Sequence, residues 1–158
     1  SASCSPPTPA TACVTTELNT LFETITAISE QVDPIKLNAT LTAAAQALDA
    51  FASGLEAHFQ AEEQELFPRF EAATGMTQGP TQVMRGEHAE MRATLAQLRA
   101  ALASRDLDEF GGEAETLLIM MQQHNMKEEN ILYPMCDQHL AGETPELLAR
   151  LETELAES

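Results

Sequence analysis

The sequence predicts an all-α protein: an antiparallel up-down four-helix bundle with an irregular N-terminal arm and a short C-terminal helix. Strong helix formers such as Ala, Leu, Glu, Gln and Met are abundant. No segment alternates polar and apolar residues for long enough to form a convincing strand, whereas apolar residues recur every three or four positions in four successive stretches. At 158 residues the chain suits one domain, predicted over 15–158 after an arm at 1–14.

The first predicted helix follows the Ser/Thr/Pro-rich arm. Thr15 or Thr16 would cap its start, and Asp33-Pro34 would end it. Its apolar stripe consists of Leu18, Leu21, Phe22, Ile25, Ile28 and Val32.

The second predicted helix runs from near Pro34 to near Ala73. Pro34 suits its first turn, whereas Pro68 should kink the helix or locally break its hydrogen bonding. Its stripe consists of Leu41, Leu48, Phe51, Leu55, Phe59 and Leu66. The segment 74–80, which contains two glycines and a proline, predicts a connection.

The third and fourth predicted helices run from about Thr81 to Ala103 and from about Leu107 to Gln138. A short turn joins them, and the fourth helix again carries a late proline, Pro134. Gly142 would end this helix before a short terminal one. Long amphipathic helices joined by short connections are typical of an antiparallel bundle.

The net charge is −17, from 8 basic and 25 acidic residues. A surface this negative argues against nucleic acid or an anionic membrane as a partner. No run of about 18 apolar residues is present, so no membrane-spanning helix is expected. The N-terminus lacks a basic start followed by an apolar stretch, which favours a cytoplasmic location. Because Ser1 is not a natural initiator, a removed signal sequence remains an alternative.

Three cysteines are present. Cys4 and Cys13 lie in the arm and could close a small disulfide loop in an oxidising compartment. Cys136 would be left over from such a pair, which argues against a disulfide-based scaffold.

The most informative feature is a repeat between the second and fourth predicted helices. Residues 58–70 are HFQAEEQELFPRF, and residues 124–136 are HNMKEENILYPMC. The constant offset is 66 residues (124 minus 58). The matched pairs are His58 and His124, Glu62 and Glu128, Glu63 and Glu129, Leu66 and Leu132, Phe67 and Tyr133, and Pro68 and Pro134.

The spacing of four within each repeat predicts a metal site. Residues i and i+4 lie on the same face of a helix, so His58 and Glu62 continue one apolar stripe, and His124 and Glu128 continue another. A buried carboxylate without a partner costs several kcal/mol. Two such helices facing each other would place two imidazoles and two carboxylates around a divalent metal, or around a pair of metals.

The third predicted helix adds His88, which lies on its inner stripe four residues after Met84. Three histidines on the buried sides of three helices make a stronger pattern than any one of them. The neighbouring Glu63 and Glu129 lie one residue off the inner face, so solvent or an outer contact to the site is expected for them.

The patterns HxxxEExxLFP and HxxxEExxLYP resemble the ligand helices of hemerythrin-like (HHE) cation-binding domains over roughly Thr16 to Gln138. The resemblance implies a non-haem di-iron centre between four helices. It implies that His58, Glu62, His124 and Glu128 are ligands, that the two glutamates bridge the metals, and that His88 is the third-helix histidine.

Two positions depart from the family pattern. The first predicted helix has no histidine, and Asn19 and Glu23 beside its stripe are only weak replacements. Oxygen-carrying hemerythrins have a second histidine on the third helix, where this chain has Arg92, with Glu87 nearby. The departures argue against reversible oxygen transport, and they leave a single ion or another divalent metal as alternatives to di-iron.

The leading functional hypothesis is an iron-binding protein that binds or senses a small diatomic ligand, such as oxygen or nitric oxide, or that handles iron itself. One alternative is a di-iron enzyme that consumes peroxide or oxidises ferrous iron. Another is a structural or interaction bundle without metal. Metal ions and a diatomic ligand are therefore the expected partners, and the sequence does not indicate an oligomeric state.

Overall fold

The computed structural model describes residues 17, 19–21, 23–24, 33–142, 146, 149–150 and 152–153. All regular secondary structure within these residues is helical, which confirms the all-α class. Within the described range 33–142, five α-helices and two π-helical turns follow one another: α1 (Pro34–Ala61), π1 (Glu62–Leu66), α2 (Phe67–Thr74), α3 (Pro80–Ser104), α4 (Leu107–Lys127), π2 (Glu128–Leu132) and α5 (Tyr133–His139).

Several predictions concern residues outside this description. The arm at 1–14, with Cys4 and Cys13, lies outside it, and so does most of the first predicted helix. The few residues that are described at 17–24 are helical. The same holds for the described residues of the short terminal helix, at 146–153. The antiparallel up-down order of the bundle and the domain boundaries stay predictions.

Helix α1 begins where local chemistry favours a start. The Asp33 side chain accepts a hydrogen bond of 3.0 Å from the Ile35 backbone N–H, and Pro34 occupies the first turn. The helix then buries the predicted stripe, with Leu48, Phe51, Leu55 and Phe59 all nearly inaccessible to solvent. This stripe leads directly to the first histidine of the repeat.

The two repeat segments continue through π-helical turns. The sequence analysis expected Pro68 to kink the helix or locally break its hydrogen bonding. The structure has a π-turn that ends two residues before each of Pro68 and Pro134, and the helix continues through both prolines. The Phe67 N–H donates to the Glu62 carbonyl five residues back, and the Tyr133 N–H donates to the Glu128 carbonyl in the same way. A proline lacks an N–H and cannot complete the ordinary i to i−4 pattern. The π-turn, with its hydrogen bond from residue i to residue i−5, accommodates the missing N–H without ending the helix.

Helices α3 and α4 form a tight pair. Arg105 ends α3 in the left-handed conformation, with φ of 60°, and the Asp106 side chain accepts a hydrogen bond of 3.1 Å from the Glu109 N–H to begin α4. The bounds of α3 differ by one residue at each end from those predicted. His88, early in α3, lies opposite His124, late in α4.

The described core has two parts. The larger contains Leu21 and the buried faces of α1, α3 and α4. The smaller surrounds α2 and α5 and includes Phe67, Tyr133 and Cys136, whose side chain is fully buried. Phe59 belongs to the larger part and Phe67 to the smaller, and both stack on the His88 ring, at centroid distances of 3.9 and 5.7 Å. The candidate site therefore lies where the two parts meet.

Within the described parts of the chain, no helix combines the length and apolar character needed to cross a bilayer.

The end of α2 gives a test of the backbone. Gly75 has φ of 72°, and a Cβ atom there would meet no neighbour within 4 Å, so substitution costs only backbone strain. We expect Gly75→Ala to lower the free energy of unfolding by about 1 kcal/mol in urea denaturation. The matched control is Gly86→Ala on the exposed face of α3, where the space is also open. That substitution should raise the stability by about 0.5–1 kcal/mol. Equal effects of the two would contradict this account.

Candidate metal centre

Five predicted side chains converge at one level of the bundle. Glu62 and Glu128 are the first residues of π1 and π2, and each is 3% exposed. His88 comes from α3 and His124 from the last turn of α4, and both are buried. One ligand atom from each of these four residues lies within 4.8 Å of the others. His58 completes the set at the edge, with 17% of its side chain exposed.

One half of the site is a group of four donor atoms from four residues. The Nε2 atoms of His88 and His124 are 3.2 Å apart. His88 Nε2 lies 3.1 Å from Glu62 Oε2, and His124 Nε2 lies 2.9 Å from Glu128 Oε1. Adjacent ligands bound at about 2.1 Å to one octahedral ion are separated by about 3.0 Å, so this spacing suits a shared metal.

The other half of the site uses the remaining oxygen of each carboxylate. Glu62 Oε1 lies 3.2 Å from His58 Nε2. The Tyr133 hydroxyl lies 3.1 Å from the same Glu62 oxygen and 3.0 Å from Glu128 Oε2. Each glutamate thus presents one oxygen to the two inner histidines and the other to His58 and Tyr133.

Two outer carboxylates fix how the inner histidines carry their protons. Glu63 Oε1 lies 2.8 Å from His88 Nδ1, and Glu87 Oε2 lies 2.8 Å from His124 Nδ1. A carboxylate accepts hydrogen bonds, so each Nδ1 carries the proton and donates it outward. In the neutral ring, Nε2 is then left with a lone pair directed at the centre.

The centre therefore contains nitrogen and oxygen lone pairs, with too few protons for hydrogen bonds between all of them. When both rings are neutral, the two Nε2 lone pairs face each other and two carboxylate oxygens. Among the described residues, Glu62 Oε2 and Glu128 Oε1 are buried and have no hydrogen-bond partner. Buried oxygens of this kind are costly unless a cation binds them. The donor set of imidazole nitrogens and carboxylate oxygens fits a divalent metal such as iron or zinc.

Each outer carboxylate is itself held by a cation. Arg92 donates hydrogen bonds to both oxygens of Glu63, at 3.0 and 3.2 Å, and two further hydrogen bonds to Glu56. Lys127 donates to Glu87 Oε1. The structure thus contains two parallel chains of cation, carboxylate and imidazole. Arg92 occupies the position of the second third-helix histidine of oxygen carriers, and here it contacts the site only through Glu63.

The pKa values follow from burial and from charge. Burial raises the pKa of Glu128 to about 7, and the nearby charge of Glu62 adds to the effect. Burial also opposes ionisation of Glu62, but the charge and the hydrogen bond of His58 outweigh it and hold the pKa of Glu62 well below the usual range. Burial disfavours the charged ring of His58, but Glu62 overcomes this and raises its pKa to about 9. Burial, with the two carboxylates, raises the pKa of Tyr133, which is a neutral phenol here.

A cavity of about 10 Å³ adjoins the site between α1, α3 and α4. Its wall is mostly apolar, and His58, His124 and Asn125 supply the polar atoms. This volume is close to the minimum for one water molecule. Only a very small molecule fits there without rearrangement.

The weak candidates for replacement ligands have different outcomes. Asn19 and Glu23 are exposed, so neither replaces the missing first-helix histidine. Glu87 contacts the outer nitrogen of His124 and not the centre. Glu63 makes an outer contact of the kind the sequence analysis allowed, whereas Glu129 is exposed. Tyr133 was missed, although its place beside Pro134 in the repeat was a signal.

The comparison with protein families agrees with the geometry. The family model described as hemerythrin HHE cation binding domain matches residues 16–136, which is more than half of the chain. The chain therefore belongs to this family. No curated protein and no solved structure matches it significantly.

The outer carboxylate of His88 should strengthen metal binding. We expect Glu63→Ala to weaken Zn²⁺ binding by about 10- to 100-fold, because His88 loses the partner that orients its ring. The matched control is Glu129→Ala at the equivalent, exposed position of the other repeat, which should leave the affinity unchanged. Competition with a chelator of known affinity measures both. An equal loss in both variants would show that only general charge matters.

Protons should compete with the metal. The pKa values of about 7 for Glu128 and about 9 for His58 mean that both groups are protonated at low pH in the metal-free protein. Binding must displace these protons, so Zn²⁺ affinity should rise with pH up to about pH 9. In His58→Ala, the rise between about pH 7 and about pH 9 should be less steep, because the His58 proton is no longer there to be displaced. An affinity independent of pH over this range would contradict the assignment.

Proposed function

We propose that this member of the hemerythrin HHE family binds iron between π1 and π2, and that the bound iron engages a small diatomic ligand such as dioxygen or nitric oxide. One observation carries the proposal. Buried donor atoms of Glu62, His88, His124 and Glu128 lie within 4.8 Å of one another, and two of the carboxylate oxygens among them have no hydrogen-bond partner in the part of the chain that the structure describes.

The arrangement of oxygens supports two metal positions. His88, His124 and one oxygen from each glutamate would hold the first ion. His58 and the other two oxygens would contribute to the second, so both carboxylates would bridge. Bound iron would supply open coordination positions and a reversible change of oxidation state. The protein's own residues orient the donors, neutralise the carboxylates and limit access.

Burial and packing support a restricted role for the site. The His88 ring is stacked between Phe59 and Phe67, so it has little freedom to turn. The adjoining cavity of about 10 Å³ admits no substrate larger than a few atoms without movement of its walls. These features favour a diatomic ligand over a larger organic substrate.

The metal-free alternative is energetically less favourable. Without a cation, two carboxylates in the interior would face each other and two lone-pair nitrogens. The like charges would raise each other's pKa or draw in protons, as the raised pKa of Glu128 already indicates. A structural bundle gains nothing from such a cluster that apolar side chains would not supply.

Iron content tests the proposal directly. We expect about two iron ions per chain after anaerobic loading with ferrous iron and removal of loosely bound metal. His58→Ala should retain about one, because the inner histidines remain, whereas His124→Ala should retain fewer still. The matched control is His139→Ala, since this exposed histidine in the last turn of α5 lies outside the cluster.

The same preparations separate the functional alternatives. Saturable binding of nitric oxide to the ferrous protein, without catalytic turnover, would support the proposed role. Sustained consumption of peroxide, or repeated oxidation of added ferrous iron, would favour a di-iron enzyme. If neither the wild-type protein nor His139→Ala retained iron, the proposal would be wrong.

A further inference from the structure

The two carboxylates at the site divide their four oxygens evenly. Glu62 Oε2 and Glu128 Oε1 face the inner histidines, while Glu62 Oε1 and Glu128 Oε2 face the opposite direction. The first pair of oxygens has two nitrogen donors beside it. The second pair has one nitrogen beside it, from His58.

Tyr133 lies at the second pair of oxygens. Its hydroxyl is 3.1 Å from Glu62 Oε1 and 3.0 Å from Glu128 Oε2, and His58 Nε2 is 3.2 Å from the same Glu62 oxygen. These separations match those around the inner histidines, which run from 2.9 to 3.2 Å. The two halves of the site therefore have the same spacing, with a phenol oxygen in place of one imidazole nitrogen.

We infer that Tyr133 is a metal ligand, and that its phenolate oxygen completes the second metal position together with His58, Glu62 and Glu128. The inference rests on the proposed iron-binding function and adds a donor to it. Tyr133 thereby takes the place of the histidine that the first helix lacks. A phenolate is a hard oxygen donor of the kind that ferric iron prefers.

The protonation change balances. Without metal the phenol is neutral, and its single proton is shared between two carboxylate oxygens. Ferric iron would replace that proton: the O–H bond would break, an iron–oxygen bond would form, and the proton would leave to solvent. The cation would then bind the two carboxylate oxygens that had accepted the phenol proton, so neither buried oxygen would be left without a partner.

The repeat makes the tyrosine distinctive. The equivalent position in the other half of the chain is Phe67, which packs on the His88 ring and carries no donor. Both positions follow a π-turn and precede a proline, so their backbones are alike. Phenylalanine is therefore compatible with this local structure, and Tyr133→Phe removes only the hydroxyl.

The experiment uses ferric iron, supplied as its citrate complex to the full chain. Tyr133 is the single tyrosine of this sequence, so any phenolate-to-iron charge-transfer band in the visible spectrum, and any resonance-enhanced phenolate vibration, must come from it. We expect both signals in the wild-type protein, with about two iron ions per chain. In Tyr133→Phe we expect both to vanish and the iron content to fall to about one. Circular dichroism checks that the variant stays helical.

The possible results distinguish a failure of the tyrosine inference from a failure of the proposed function. Iron binding by the wild-type protein without a phenolate signal would overturn the inference and leave the proposed function standing, and this result needs no variant. Two iron ions retained by Tyr133→Phe would do the same, because the hydroxyl would then be only a hydrogen-bond donor. Absence of iron from the wild-type protein would overturn the proposed function, and the inference with it.

Discussion

Glu62 and Glu128 face each other in the interior of the bundle, and most of the surrounding structure compensates for that arrangement. Two carboxylates at close range in a medium of low dielectric repel each other strongly and lose their hydration. His58 and Tyr133 contact one pair of oxygens, while the inner histidines lie beside the other pair. The pair beside the inner histidines, Glu62 Oε2 and Glu128 Oε1, receives no hydrogen bond among the described residues, and a bound cation would satisfy it.

The fold forms this arrangement from the same local structure, which occurs twice. Each repeat places a histidine on an α-helix, a glutamate at the first residue of a π-turn, and a proline just beyond it. The wide turn compensates for the proline's missing N–H and keeps the helix continuous past the site. The third helix then inserts His88 between the repeats, where Phe59 and Phe67 fix its ring. Position and orientation thus come from backbone geometry and apolar packing, before any metal binds.

Much of this could be predicted from the sequence, because helical stripes and the i, i+4 spacing are local properties. The three long segments that the structure describes, the connection after Thr74 and the convergence of the five predicted side chains all follow from periodicity. The outer partners could not be predicted in the same way. Glu63 and Glu87 lie off the apolar stripes, and their contacts to His88 and His124 depend on how the helices pack. Tyr133 was missed for a related reason, since a buried aromatic next to a proline is typical of a core.

The departures from the family pattern also acquire a physical meaning. Arg92 does not leave a gap in the site, because it holds the carboxylate that orients His88. The first predicted helix has no histidine, and the inferred ligand Tyr133 would supply an oxygen donor beside His58. Anomalous diffraction at the iron absorption edge, from crystals of the iron-loaded protein, tests the central claim most directly. The account predicts two peaks between Glu62 and Glu128, about 3.5–4 Å apart. A cluster without a peak, with the two carboxylates hydrogen-bonded to each other, would contradict it.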